Sequence, residues 1–553
     1  MSCPSVTPLE TCLIGGVGKF GMNMLVVRTK SSTIMIDAGI GFVPLQPYGI
    51  NVCAPNSDQI RSEFGSFDAL LLTHGHEDHI GAIPFIWDLI EGPVYGTRLT
   101  LALVQRRLDQ YGIAINDRLT PITEESRVTI SDLEIEFIPV DHSIPDSAAI
   151  VVKSPVGSIV HTGDFKFDQY PPTETDTTVS KLTQLGHDGV LAMFSDSTNA
   201  SIPGRTGSEL ELQPSIEQLC QSARGRVFVT TFASSVRRIQ LLIDIAHRTG
   251  RSVIVLGRGI AQNIDIAERL GYISIPPQLR KPRSVLQTQQ SRNILCIVSG
   301  SQGEPYAALS RIARNTHSDV AIEADDTVIF STRIIPGNEL AIAQLKNDLA
   351  QAGASLFDNS SDLVHVSGHG SQDDLLTMMA LLKPKYLIPI HGQFQDLKHH
   401  AALAENAGIK PILARNGDRI FFDQTKYWLG DSIPVETNYI DNDLSIPVSS
   451  HTVMERRSLA KNGVLVVVLR IDRNNRKIDQ KPTLITYGVL TENSNSACVD
   501  GLAKAVHGVL DSALTAENGD PETLVTEVIP DLQHLAKKHF GNAPVILPVL
   551  LEN

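Results

Sequence analysis

No stretch of this chain is apolar for long enough to cross a bilayer, so no membrane-spanning role is expected. The opening Met1-Ser2-Cys3-Pro4-Ser5 lacks a basic region followed by an apolar stretch, which argues against a secretory leader. Cysteines are few: six, at 3, 12, 53, 220, 296 and 498, with no CxxC pair. That scatter fits reduced thiols in a cytosol better than a disulfide framework. Positive charge is in deficit. Against 61 Asp and Glu stand 47 Lys and Arg, and the formal charge of −14 argues against a general nucleic-acid coat. A local basic channel with bound metal ions stays open, because the field is set locally. Internal repeats and low-complexity tracts are also lacking. What remains is an ordinary globular composition, 42% hydrophobic and 20% charged over 553 residues. That is enough for a sizeable core and roughly three domains.

To about residue 207 the chain reads as short apolar strands broken by Gly and Asp turns, among them 22–27, 33–36, 133–140, 149–152, 158–160 and 190–194. Several end beside a ligand-type residue: Asp37, His142, Asp164 and Asp196. From 208 to 353 helices and strands alternate, the rhythm of an α/β domain with parallel strands. Helices are expected over 208–222, 235–250, 260–270 and 337–353, and strands over 227–231, 253–256, 293–298 and 327–331. Leu356-Phe357 is read as the start of a return to the first domain, whose second part runs 354–425 with helix, strand and helix around His391. Residues 426–455, polar and rich in Pro, Asn and Asp, read as a linker or wrapping segment. The remainder, 456–553, reads β-β-α-α-β: strands at 464–471 and 483–489, helices at 499–514 and 521–539, and a closing strand at 545–550. Its run Val464 to Leu469 has the character of a buried core strand.

The densest chemistry lies at Thr73-His74-Gly75-His76-Glu77-Asp78-His79, directly after the apolar run Ala69 to Leu72. Three imidazoles and two carboxylates follow a strand through a tight turn. Imidazole with carboxylate suits borderline divalent ions such as Zn2+ or Mn2+. In an extended turn His74 and His76 share a face, while Asp78 and His79 open the next element. One segment can therefore offer two ligand pairs to two neighbouring ions. Other candidates sit at distant strand ends: His142 in VDHSIPD, Asp164 in HTGDF and His391 in IPIHG. Each alone would be a structural residue satisfied by hydrogen bonds.

Taken together, the order Asp37, HGHEDH, His142, Asp164 resembles the metallo-β-lactamase fold. The α/β insert, followed by HVSGHG (365–370) and PIHG (389–392), is similar to the nucleic-acid-processing β-CASP branch, and within it to ribonuclease J. The residues that carry the likeness are HGHEDHIGAIP (74–84), HSIPDS (142–147), HTGDFK (161–166), SDSTNA (195–200), GSQGEP (300–305), IPGNE (335–339) and HVSGHGSQ (365–372). It extends over essentially the whole chain. The resemblance implies an α/β architecture: a metallo-β-lactamase αββα sandwich with an inserted β-CASP domain and a small C-terminal α/β domain. It implies two divalent ions per subunit, Zn2+ first and Mn2+ or Mg2+ otherwise. His74, His76 and His142 would hold one, Asp78, His79 and His391 the other, and Asp164 would bridge them. Asp37 would orient a ligand imidazole. His369 would act on the leaving oxygen, held by Asp196. A two-metal-activated hydroxide would then cleave RNA, as a 5′→3′ exonuclease with endonuclease activity in RNA decay and maturation.

For substrate contact the resemblance implicates Ser234 and Ser235, where a strand gives way to a helix, and the loop His365, Val366, Ser367, Gly368 and His369. Here the chain departs from the family pattern. Ser234-Ser235-Val236-Arg237-Arg238 stands for Ser-Asn-x-His-Arg, and Gly392-Gln393-Phe394-Gln395 for Gly-Glu-aromatic-Arg. Hydroxyl and guanidinium can still bind phosphate, whereas a solvated helix face is the plainer account of Arg237 and Arg238. A homodimer or homotetramer and a helicase partner in an RNA-decay complex follow from the likeness alone, and a cytoplasmic location from the likeness together with the scattered cysteines. The alternative is a weakly active or non-catalytic partner subunit of such a complex.

Overall fold

The computed structural model describes residues 7–170, 175–287, 293–441, 446–472, 477, 478, 480–489, 496–516, 526–541 and 543–552. Residues 1–6, Cys3 among them, lie outside these, as does the expected helix start at 521. The chain separates into two compact units, 1–42 with 53–437 and 43–52 with 438–553.

In the first unit two sheets face each other. One runs in the order Tyr427–Leu429, Arg419–Phe422, Leu9–Gly15, Met24–Arg28, Thr33–Ile36, Ala69–Leu71, Val94–Gly96, Leu119–Pro121. The other runs Arg127–Ile130, Leu133–Val140, Ser147–Lys153, Ser158–His161, Val190–Asp196, Tyr386–Ile390, Lys410–Pro411. Alternation explains how they meet. In Leu133–Val140 the side chains of Leu133, Ile135 and Phe137 turn inward, while Glu134 and Glu136 turn away. Glu136 takes an ion pair from Lys153 on the neighbouring antiparallel strand. The shared core draws apolar side chains from both sheets, including Leu25, Val27, Ile34, Leu71, Ile150, Phe194, Ile388 and Phe422. Helices Thr175–Asp188, Gln372–Leu382 and Phe394–Asn406 accompany the outer face of the second sheet, where Leu182, Leu375, Met379 and Ala404 join Val160 and Met193 in one cluster. This is the αββα sandwich expected.

The insert is a five-stranded parallel sheet ordered Ser252–Leu256, Ile294–Val298, Val227–Thr230, Thr327–Phe330, Ser355–Phe357. Its inner strands are buried along their whole length, as parallel strands under helices on both faces must be. Helices Val236–Arg248 and Arg258–Arg269 place Ile239, Leu242, Ile260 and Ile264 in its core. At the foot of the central strand, buried Arg226 meets Asp326 with its Nη2 2.5 Å from Oδ2. Leu356-Phe357, read as the return to the first domain, belongs instead to the edge strand of this sheet. Two hydrophobic residues in a row carry no mark of which sheet they join. The expected helix from 208 is a 3-10 turn, Glu209–Leu212, followed by the helix Gln213–Ser222, with Pro214 in its first turn.

In the second unit Val464–Asp472 pairs antiparallel with Thr483–Tyr487 and parallel with Val545–Glu552. Alternate residues Leu465, Val467 and Leu469 are buried against Leu502, Val506, Leu510 and Leu532 of two helices. The segment 426–455 carries more regular structure than its polar composition suggests: strands Tyr427–Leu429, Thr437–Asp441 and Pro447–Val448, and the start of the helix Ser450–Asn462. Residues 442–445 of that segment lie outside the described ones. Val453 is the helix's one fully buried residue, so its sequence has almost no apolar stripe to announce it. Among the described residues no helix is long and apolar enough to cross a membrane.

One backbone approach ties fold to site. Gly39 donates to the Asn23 carbonyl and Asn23 to the Asp78 carbonyl, both at 3.0 Å. A Cβ on Gly39 would lie 1.6 Å from the Asp78 oxygen. Gly39→Ala is therefore expected to destabilise the first unit by about 1–3 kcal/mol through overpacking. A chemical-denaturation midpoint equal to that of the parent would refute this.

Candidate active site

Two parallel strands, Thr33–Ile36 and Ala69–Leu71, end side by side. The chain turns sharply at Asp37, whose φ of 58° lies in the left-handed region. Its carboxylate then accepts from the Thr73 backbone N–H at 2.8 Å and the Thr73 hydroxyl at 2.7 Å. It lies 2.7 Å from His79 Nδ1, which donates to it. With Nδ1 so engaged, His79 Nε2 points inward.

The same logic recurs at three other imidazoles. His74 Nδ1 donates to the Thr73 hydroxyl at 3.0 Å, since that hydroxyl's proton goes to Asp37. His142 Nδ1 donates to the Gly368 carbonyl at 2.7 Å, and His391 Nδ1 to the Thr198 hydroxyl at 2.7 Å. Each outer nitrogen has an acceptor, and each Nε2 lone pair faces a common interior. His76, at the start of the helix Glu77–Ile80, turns Nδ1 inward instead.

The interior atoms form two groups. His74 Nε2 and His142 Nε2 lie 3.0 and 3.1 Å from His76 Nδ1, and 3.5 and 3.6 Å from Asp164 Oδ2. In the second, Asp78 Oδ2 lies 3.7 Å from His79 Nε2 and 3.1 Å from His391 Nε2. Asp164 Oδ2 lies 3.3 and 3.5 Å from the same two nitrogens. A tetrahedral ion with ligands at 2.0–2.1 Å sets neighbouring ligand atoms roughly 3.3 Å apart. The spacings match that figure. Lone pairs converging at 3.0 Å repel one another unless a cation sits among them. The sets His74, His76, His142, Asp164 and Asp78, His79, Asp164, His391 can thus each hold a divalent ion, with Asp164 common to both.

Charge agrees. Burial and neighbouring imidazoles push His74 and His142 well below the usual histidine range. Burial likewise pushes His76 down to about 4. At His79 burial works against the charged ring, but Asp164, Asp78 and Asp37 outweigh it and lift the ring to about 10. His391 is raised well above its ordinary value, against burial, chiefly by Asp164. The second group is therefore an excess of buried carboxylate that holds positive charge, a role a metal cation fills in place of protons.

Beside this centre stands His369. Its Nδ1 donates to Asp196 Oδ2 at 2.8 Å, and its side chain is 20% exposed, so one edge faces solvent. Asp196 closes the strand Val190–Asp196, and its Oδ1 accepts from both the backbone N–H and the hydroxyl of Thr198. The loop of His369 is tied down by Asn199, which donates to Ser367 Oγ and to the His369 carbonyl, each at 2.9 Å. Thr206 adds a hydroxyl to the same carbonyl at 2.8 Å. Gly368 is required sterically: a Cβ there would lie 2.8 Å from His142 Cε1.

Ser234 and Ser235 sit where the helix Val236–Arg248 begins, and Ser235 makes no side-chain cap of its own. The arginines that follow are not a solvated face. Arg238 is wholly internal: its Nε and Nη2 reach the two oxygens of Glu209 at 2.5 and 2.8 Å. Nη1 reaches Ser331 Oγ at 2.7 Å and His365 Nδ1 at 3.3 Å, and Nη2 the Val366 carbonyl at 3.3 Å. Its guanidinium holds the loop 365–369 and has no donor left for a phosphate. Burial, with Arg238 and Arg333 nearby, keeps His365 well below its ordinary range and so uncharged. Arg237 pairs with Asp141 at 3.3 Å across to the sandwich. Gln393 caps the helix Phe394–Asn406 in a reciprocal box with Asp396, so its side-chain oxygen has a structural use.

All seven expected metal ligands converge, and Asp37, Asp196 and His369 stand against them. Thr73, Asn23, Thr198 and Asn199 are given no role by sequence, and Arg238 is read there as a phosphate contact or a solvated side chain, not as a buried anchor. Asn23 Nδ2 lies 3.0 Å from both the Asp78 carbonyl and His79 Nε2. The signal for Thr198 and Asn199 is their place in SDSTNA, immediately after a buried strand.

Chelator-stripped protein is expected to gain thermal stability on adding Zn2+ or Mn2+, by ~2.7 kcal/mol at a free ion concentration about a hundredfold above Kd. Asp164→Ala should gain nothing. If stripped parent and variant respond alike, and elemental analysis finds no bound ion in either, the centre is misread.

Comparison with known proteins agrees with this geometry. Family models match along the chain: a beta-lactamase superfamily domain at 32–182, the ribonuclease J beta-CASP domain at 224–349, a Zn-dependent metallo-hydrolase RNA specificity domain at 361–414 and the ribonuclease J C-terminal domain at 451–553. The chain is 34% identical over 542 residues to ribonuclease J2 of Bacillus subtilis, covering 98% of each chain. It is 33% identical over 554 residues to ribonuclease J of Mycoplasma genitalium, covering 98% of this chain and 97% of that one. To ribonuclease J 1 of Streptococcus pyogenes it is 32% identical over 541 residues, covering 97% and 96%. A crystal structure of an Enterococcus faecalis protein of unknown function superposes with a TM-score of 0.54 at 17% identity, over 75% of this chain and 100% of that one, a likeness of fold. The chain belongs to the ribonuclease J family, metal-dependent ribonucleases of the metallo-β-lactamase fold with an inserted β-CASP domain.

Proposed function

We propose that this protein hydrolyses RNA phosphodiester bonds as a 5′→3′ exonuclease that also cuts internally, in RNA decay and maturation. The observation that carries the reading is the His369–Asp196 pair, at 2.8 Å, set against two metal-ligand groups that share Asp164. Bound divalent ions, Zn2+ first and Mn2+ or Mg2+ otherwise, would supply a water of lowered pKa and neutralise charge gathering on phosphorus. His74, His76, His142 and Asp164 would hold one, and Asp78, His79, Asp164 and His391 the other. Asp37 orients His79. Water adds to phosphorus and the bond to the 3′ oxygen breaks. His369, anchored through Nδ1, delivers a proton to that oxygen from Nε2. The phosphate stays on the 5′ end of the downstream fragment. Ser234, Ser235 and the loop 365–369 steady the RNA near the break, with hydroxyls and the backbone N–H groups of Val366, Ser367 and Gly368 as donors, those of His365 and His369 being taken by Asn359 and Ser367.

Family membership supports the finer expectations: a homodimer or homotetramer, a helicase-containing decay complex and action in the cytoplasm. Buried unpaired Cys12, Cys53, Cys220 and Cys296 agree with the last. The domain boundaries proposed are 1–207, 208–353, 354–425, 426–455 and 456–553, with the edge strand Ser355–Phe357 counted with the insert. A second reading, a weakly active or non-catalytic subunit, draws on the altered 234–238 segment and on the engagement of Arg238 with Glu209.

The test is direct. RNA carrying 5′-monophosphate, 5′-triphosphate or 5′-hydroxyl, with DNA alongside, is offered to the protein with Mn2+ or Zn2+. Mononucleotides released from 5′-monophosphate RNA are expected, and Asp78→Ala with His79→Ala should abolish release while circular dichroism stays unchanged. Equal behaviour of parent and double variant on every RNA would sink the enzyme reading. Internal fragments alone would leave an endonuclease.

A further inference from the structure

We infer that Thr198 is a positioning residue whose single hydroxyl aligns both a metal ligand and the proton donor of the reaction. The inference rests on the roles proposed above for His391 and His369. Thr198 follows Asp196 by two residues at the end of a buried strand, and its side chain lies between two groups that do different work. On one side, His391 Nδ1 is 2.7 Å from Thr198 Oγ1. On the other, Asp196 Oδ1 is 2.8 Å from it. A hydroxyl carries one proton and can accept others. A carboxylate only accepts, so the hydroxyl proton goes to Asp196 or to the His391 carbonyl at 3.0 Å. Toward Nδ1 the oxygen is then an acceptor, which requires the proton of His391 on Nδ1. That leaves Nε2, directed at Asp78 and Asp164, as the nitrogen whose proton a metal ion would replace.

Two further facts make the contact more than a spare hydrogen bond. His391 has a φ of 54°, a conformation costly for a residue with a side chain. The Thr198 hydroxyl lies within reach of both its ring and its carbonyl. Asp196, in turn, has its two oxygens divided: Oδ1 is taken by the Thr198 N–H at 2.9 Å and hydroxyl, and Oδ2 by His369. Were the hydroxyl absent, His391 Nδ1 would face Asp196 Oδ1 directly, at 3.5 Å. That contact would turn the ring and draw the carboxylate away from His369.

Thr198→Val keeps the shape and removes the hydroxyl; Thr198→Ser keeps the hydroxyl. In the full-length protein with Zn2+, Thr198→Val is expected to lower kcat on 5′-monophosphate RNA by about 10- to 100-fold, with KM changed less than about twofold. It should also release one Zn2+ equivalent at a chelator concentration about tenfold below that needed for the parent. Thr198→Ser should restore both to within about threefold of the parent. Parental kcat and parental metal retention in Thr198→Val would overturn the inference, as would a folded Thr198→Ser as impaired as Thr198→Val. If Thr198→Val does not fold, Thr198→Ala is read against Thr198→Ser in the same way. Should the parent cleave no RNA, the ribonuclease reading fails, while chelator release from Thr198→Val against the parent still decides this one.

Discussion

Oδ2 of Asp164 lies 3.3–3.9 Å from ring nitrogens of His74, His79, His142, His369 and His391. The rest of the site depends on that single buried oxygen. A carboxylate stripped of water and left without partners would be a heavy burden on the fold, and breaking a buried charge pair typically costs about 3–5 kcal/mol. Here the surrounding rings and the cations they can admit provide the compensation. The rings are not free to provide it in any orientation. Thr73, Thr198, Asp37 and the Gly368 carbonyl each fix an outer nitrogen, so inner lone pairs converge by construction. The centre is thus specified by neutral hydroxyls and backbone groups as much as by its charged members.

Two residues that direct this convergence sit in the left-handed region, Asp37 at φ 58° and His391 at φ 54°. Both follow strand ends, where a sheet can hold an unfavourable turn against its own tendency to relax. Asp37 is fastened through its N–H to Leu71, and His391 through its N–H to the Gly16 carbonyl at 2.6 Å. The sandwich therefore does more than carry loops. One strand of each sheet ends in such a turn, Thr33–Ile36 at Asp37 and Tyr386–Ile390 at His391.

How much of this can be read from sequence varies with the range of the interaction. The run His74 to His79 is legible because its ligands are nearly consecutive and follow an apolar strand. His142, Asp164 and His391 are legible as ligand-type residues at strand ends, since the family pattern orders them. Arg238 is not. Its partners Glu209, Ser331 and Val366 lie 29, 93 and 128 residues away, and nothing local distinguishes a buried guanidinium from an exposed one. Gln393 likewise reads as a lost charge until its capping partner Asp396 is seen. The helix Ser450–Asn462 escapes because it buries little, and the strand Ser355–Phe357 goes to the wrong sheet because three residues hold no record of their neighbour.

Arg238 also explains why an inserted domain can belong to the reaction of the domain that hosts it. It stands on a helix of the insert, pairs with Glu209 at the insert's entry, and reaches the carbonyl of Val366 just before His369. Asn199, from the sandwich, grips the same loop through Ser367 and the His369 carbonyl. The loop is thus held from both sides, and the position of His369 over the metal ligands reflects the seating of the insert on the sandwich. Arg237 joins the two again at Asp141, one residue before His142. A shift of the insert would therefore carry the loop of His369 with it, and with it the proton delivery proposed for that residue. A separate lock between binding and chemistry is then unnecessary, because the two share a backbone.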